Sequence, residues 1–140
     1  MRAALVVLVA CGGAQRPVDD NAALATALRR YEQLVIAMDH ASIAALFTPD
    51  GELGSAGQEP IRGPAAIDAY LAKFGDYKVL DEKIVTTTTE IHGDTAHQLG
   101  TYHQRVRVPK GDIVEVGGDI GIDWLRTPDG WRIHKAWTKP

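Results

Sequence analysis

Several familiar functions are excluded by what this chain has too little of. Cys11 is the only cysteine among 140 residues. No disulfide can form within one copy, and with that thiol committed elsewhere none is left for zinc or for nucleophilic catalysis. Basic residues are short as well: 15 Lys and Arg stand against 18 Asp and Glu, a net charge of -3. Nucleic-acid binding usually needs a basic surface to displace counterions from phosphates, so no nucleic-acid partner is expected. The acid-leaning surface gives anionic lipid nothing to attract it either. Long apolar runs are missing too, since Ala3 to Ala10 falls far below the roughly 20 residues of a membrane-spanning helix. What is present, 45% hydrophobic and 24% charged residues, is the balance of an ordinary globular protein that is stabilised by packing alone.

Leu8, Val9 and Ala10 stand directly before Cys11, behind a short apolar stretch whose positive end is Arg2 and the terminal amine. Position by position, these residues resemble a bacterial lipoprotein signal. The resemblance implies that residues 1–10 are removed and that Cys11 carries a lipid. The protein would then be anchored in the bacterial cell envelope, facing the periplasm or the exterior. Gly12 to Asp20 mixes Gly, Pro and charge without apolar period, so residues 11–20 read as a tether. The alternative is an apolar tail with a free thiol. Residues 21–140 suit one domain with one core.

Leu24, Leu28, Tyr31, Leu34, Val35 and Met38 recur at steps of three and four, which predicts a helix capped by Asp20 or Asn21. Asp39 caps a second, short helix through Ile43, Leu46 and Phe47, which Thr48-Pro49-Asp50-Gly51 then stops. Gly63-Pro64 opens a third, burying Ile67, Tyr70, Leu71 and Phe74 before Gly75. Between the second and third, Glu52-Leu53 and Glu59-Pro60-Ile61 are short strands or loop. From Lys78 onward, β-branched and aromatic runs separated by His92-Gly93-Asp94, Pro109 to Asp112 and Thr127 to Gly130 predict an antiparallel meander. Its four strands cover about residues 79–91, 95–108, 113–126 and 131–138. Helices first and sheet afterwards make an α+β domain.

Ala45 to Gly51, Glu59 to Gly63, Ala65-Ala66-Ile67, and the ending Ile122 to Arg126 with Asp129 to Ile133 are similar to the SnoaL-like branch of the nuclear transport factor 2-like superfamily. The ketosteroid isomerases belong to the same group. The resemblance implies a cone-shaped barrel in which a curved antiparallel sheet wraps N-terminal helices and leaves a cavity open at one end. It also implies a homodimer formed through the outer sheet face. Members include isomerases, dehydratases, cyclases and proteins that only bind, so fold does not settle function.

In the last hairpin, a three-residue loop Pro128-Asp129-Gly130 makes Thr127 face Trp131. Counting outward puts Asp123 opposite Lys135, Leu125 opposite Ile133 and Gly121 opposite Trp137, with Trp124 and His134 on the other side. Hydrophobicity favours Ile120, Ile122 and Trp124 as the core face, whereas the resemblance places Asp123 and Leu125 inside. The second assignment is the expectation adopted here, with a dimer contact accounting for apolar residues outside.

By the resemblance, Asp123 matches the protonated acid and Tyr31 the tyrosine of an isomerase oxyanion hole. Lys135 opposite Asp123 would keep it a carboxylate, and a structural ion pair beside a core tyrosine is the plainer alternative. Where the isomerases carry their base, this chain reads Gly54-Ser55-Ala56. Steroid-isomerase chemistry is therefore not expected. His97 and His103, six apart on one strand and so roughly 20 Å apart, cannot share a metal ion. Asp39 and His40 suit a pocket rim, or else a cap and an exposed imidazole.

These observations lead to an envelope protein whose cavity, lined by Tyr31, Tyr102, Asp123, Lys135 and Trp137, binds a small, mostly apolar molecule without catalysis. No metal or cofactor is expected. The alternative is a SnoaL-like enzyme performing proton transfer in the same cavity, with Asp123 or Asp39 as base and Tyr31 as donor. A third possibility is a structural partner that uses only the outer sheet face.

Overall fold

The computed structural model describes residues 19–140; the proposed signal, Cys11 and most of the tether lie outside the described residues. Asp19 caps the first helix, α1 (Asp20–Ala37), its Oδ1 accepting from the Ala22 N–H at 3.2 Å. The cap falls one residue before the expected pair. Asp39 caps α2 (His40–Ala44) as expected, accepting from Ser42 N–H. The helix stops earlier than its apolar spacing suggested, because Phe47 already opens strand β1 (Phe47–Ser55).

Thr48-Pro49-Asp50-Gly51 does not close a helix but bulges out of that strand. The four residues between Phe47 and Glu52 run against one, His134, between Ile133 and Lys135 on the parallel neighbour, so the turn-forming residues supply the slack. Strand β2 (Ile61–Arg62) pairs back on β1, and α3 (Pro64–Ala72) follows with Pro64 in its first turn. Strands β3 (Lys78–His92), β4 (Thr95–Arg107), β5 (Ile113–Thr127) and β6 (Gly130–Lys139) form the antiparallel meander. The sheet order is β2-β1-β6-β5-β4-β3.

Irregularities at Leu80 and Thr87 bend β3 against its straighter neighbour. At the second of these, a Cβ on Gly100 would lie 2.2 Å from the Val85 carbonyl oxygen. Only glycine lets the two strands come that close, and this approach helps the sheet curl around α1.

The inner face is the one hydrophobicity favours, which corrects the adopted expectation. Ile120, Ile122 and Trp124 are buried with Leu24, Leu28 and Ile133 in the main cluster. The indole N–H of Trp124 donates to Gln98 Oε1 at 2.8 Å. Covering an indole, roughly 200 Å² at about 25 cal/mol per Å², is favourable by about 5 kcal/mol. No arrangement that turns this face outward recovers that within one chain. Asp123, Leu125, Lys135 and Trp137 consequently face away from the core.

The hairpin register combines two departures that offset each other. The loop has two residues, Thr127 pairing Gly130, and β6 carries a bulge at His134. Leu125 therefore meets Arg132 and Trp124 meets Ile133, not Ile133 and His134. Beyond the bulge, Asp123 meets Lys135 and Gly121 meets Trp137 as counted.

Candidate functional site

A cavity of about 310 Å³ opens between the concave sheet and the helices. Helix α1 contributes Tyr31 and Val35, its C-cap contributes Met38, α2 contributes His40 and Ile43, and β1 contributes Leu53. Leu71 of α3, with Phe74 and Tyr77 just beyond it, closes one side, while Val79, Gln104 and Val106 form the sheet wall. Phe74 packs edge-on against both Tyr70 and Tyr77. The lining is mainly hydrocarbon and aromatic, and its polar side chains are those of Tyr31, Tyr77, Gln104 and His40. A few polar groups in an apolar hollow of this volume are the usual makings of a small-molecule site.

Of the residues singled out in the sequence, Tyr31 and His40 line the hollow. Tyr102 points inward and packs against the core without lining it. Asp123, Lys135 and Trp137 stand on the far side of the sheet. The Asp123 carboxylate meets His97 Nδ1 there, and its side chain is 38% exposed, which removes it as a cavity acid. The Trp137 ring lies over Gly121, where a Cβ would come within 2.2 Å of it. Asp39 is occupied by its cap: the Ser42 hydrogen bonds, with His40 and Arg30 nearby, hold its carboxyl below the usual range. It is a poor base.

Two residues were missed, Glu82 and Asp68. Glu82 is 6% exposed on the inner face of β3, directly across the ladder from Gln104. Burial pushes its carboxyl up to about 7, against the pull of Gln104 and with a further push from Glu32 and Asp81. Its Oε2 has no hydrogen-bond partner among the described residues, while neighbouring Glu32 accepts the Ile84 N–H at 3.0 Å. Burial foremost, and then the Glu82 charge, raises the Tyr31 phenol well above its ordinary value, so Tyr31 remains a hydrogen-bond donor. The signal for Glu82 is only partial: Leu80, Glu82 and Ile84 share one phase, but the irregularity at Leu80 lets Val79 of the other phase face the cavity too. The second is Asp68 of α3, whose Oδ1 meets Nδ1 of His40, the residue expected at a pocket rim. These two residues lie 28 apart, and no local pattern joins them.

No curated protein matches the sequence. Solved structures do. A ketosteroid isomerase-like protein from Erwinia carotovora atroseptica superposes with a TM-score of 0.76 at 15% identity, over 87% of this chain and 96% of that one. A protein from Planctomyces limnophilus gives 0.76 at 18%, over 86% and 94%. A nuclear transport factor 2-like protein with a cystatin-like fold from Novosphingobium aromaticivorans gives 0.71 at 23%, over 86% and 80%. Likeness at such identities speaks for the fold alone. The family model of the SnoaL-like domain matches residues 16–136, nearly the whole length over which helices, curled sheet and hollow have just been described, and the chain belongs to that family.

Proposed function

We propose that the cone cavity holds a small, mostly apolar molecule, its body against Leu71, Phe74 and Val106 and its polar end toward Tyr31 and Gln104. The observation that carries this is the hollow itself, about 310 Å³ with a largely hydrocarbon wall. Titration with 2-naphthol, followed by thermal unfolding, tests it. Binding should saturate at one molecule per chain and, at a hundred times the dissociation constant, add about 2.7 kcal/mol of stability. Leu71→Trp, which fills the space, should abolish the gain. A parent protein whose melting ignores the compound would rule the reading out.

A second reading, proton transfer at the wall of the hollow, with Glu82 behind the lining residue Tyr31, is favoured by one specific observation. A buried carboxyl with an unpartnered oxygen lies near a phenol that stays protonated, and a group that titrates near neutrality can both take and give a proton. Anchoring through Cys11 to an envelope membrane belongs to the proposal and rests on the sequence. So does pairing of two copies through the outer sheet face. The apolar residues first assigned there are in the core, and pairing would now rest on exposed Val85 and Leu99.

A further inference from the structure

We propose that His40, positioned by Asp68, is a general base at the mouth of the cavity, acting on a compact apolar substrate that presents an acidic C–H there. The inference rests on the cavity reading. His40 belongs to the cavity lining, yet its side chain is 48% exposed, which is the position of a group at an entrance. Its Nδ1 faces a carboxylate oxygen of Asp68. An ionised carboxylate only accepts, so in the neutral imidazole the proton sits on Nδ1 and the lone pair on Nε2. Holding an imidazole in one tautomer with one orientation is what a partner carboxylate does for a histidine base.

Other carboxylates are less suited to the task. Asp39 is committed to its cap, and Glu82 is 6% exposed and absent from the cavity lining. Asp123 is on the other side of the sheet. His40 is the base that a bound molecule meets first. Its surroundings also select the substrate: a molecule seated against Leu71 and Phe74 must be mostly apolar, and the part left at the mouth is the part that reacts.

The probe is 5-nitrobenzisoxazole, compact and apolar with one acidic ring C–H. His40 Nε2 takes that proton and the C–H electron pair completes a nitrile. The ring N–O bond breaks, and its pair leaves on the phenolate oxygen, whose colour reports the reaction. The full chain should accelerate this with saturation. His40→Gln should lose about a hundredfold or more in kcat, within the usual contribution of a general base. Asp68→Asn should lower kcat with KM unchanged, and nitrogen NMR should show the His40 ring losing its single tautomer. Asp68→Glu should restore part of both. A rate that survives His40→Gln while the probe still binds overturns this inference and leaves the cavity reading standing. A loss that follows Glu82→Gln instead assigns the proton transfer to the buried carboxyl. No saturable binding by the parent overturns both readings together.

Discussion

Glu82 carries a carboxyl on the inner face of the sheet with one oxygen unpartnered, and the consequence is a stability that depends on pH. In the folded chain it holds its proton up to about pH 7, against 4.5 when unfolded. Between those values the folded state binds the extra proton, so stability is fully present below the lower value and is lost as pH rises through the upper one. A gap of that size corresponds to about 3 kcal/mol. Glu82→Gln keeps the shape without the charge. Urea unfolding should find variant and parent alike near about pH 4, and the variant more stable by up to about 3 kcal/mol near about pH 8. Parallel curves across that range would mean that the carboxyl is hydrated. The same titration bears on function, because a ligand that places a donor on the orphaned oxygen would lower the pH at which Glu82 ionises.

On strand β5, adjacent residues separate the two possible faces of the sheet. Trp124 is 2% exposed, and replacing it with alanine should cost about 3 to 5 kcal/mol through lost burial, a cavity and an unpaired Gln98. Asp123 is half-exposed with His97, a pairing at the surface, so Asp123→Ala should change stability by less than about 1 kcal/mol. Denaturant unfolding of both variants checks the assignment, and a large loss at Asp123 with a small one at Trp124 would reverse it. The helices and the four long strands could be read in the sequence because their periods and turn residues are local. Two features could not. Which face of β5 turns inward depends on weighing a buried indole against a resemblance, and the resemblance misled at Asp123. The bulges at Leu80 and His134 shift phase by one residue, which hides Glu82 from a strict count starting at Val79 and lets a wrong loop length give a right register at Lys135. The hollow follows from the resemblance, and of its polar lining the sequence singles out Tyr31 and His40 but neither Tyr77 nor Gln104. His40 and Asp68 meet through the packing of α2 on α3, which no spacing encodes.

At the scale of the whole molecule, the two ends of α1 lie at opposite poles. Asp20 receives both terminal nitrogens of Arg126 at 2.8 Å, and this guanidinium, which holds the Asp20 carboxyl below its usual range, also lies 4.4 Å over the Trp131 ring. The helix runs 18 residues from that point, roughly 27 Å at 1.5 Å per residue, to the cavity side at Val35 and Met38. A lipid on Cys11 would therefore hold the domain by the pole remote from the mouth, leaving the cavity open to the aqueous side. If so, Cys11→Ser should move the protein from the membrane to the soluble fraction. The soluble form and the anchored form on phosphatidylcholine vesicles should then bind 2-naphthol with the same dissociation constant, once partition of the compound into lipid is subtracted. A tenfold weaker affinity on vesicles would mean that the mouth is turned against the bilayer. Unchanged fractionation of Cys11→Ser would remove the anchor itself, and with it any preferred orientation of the cavity.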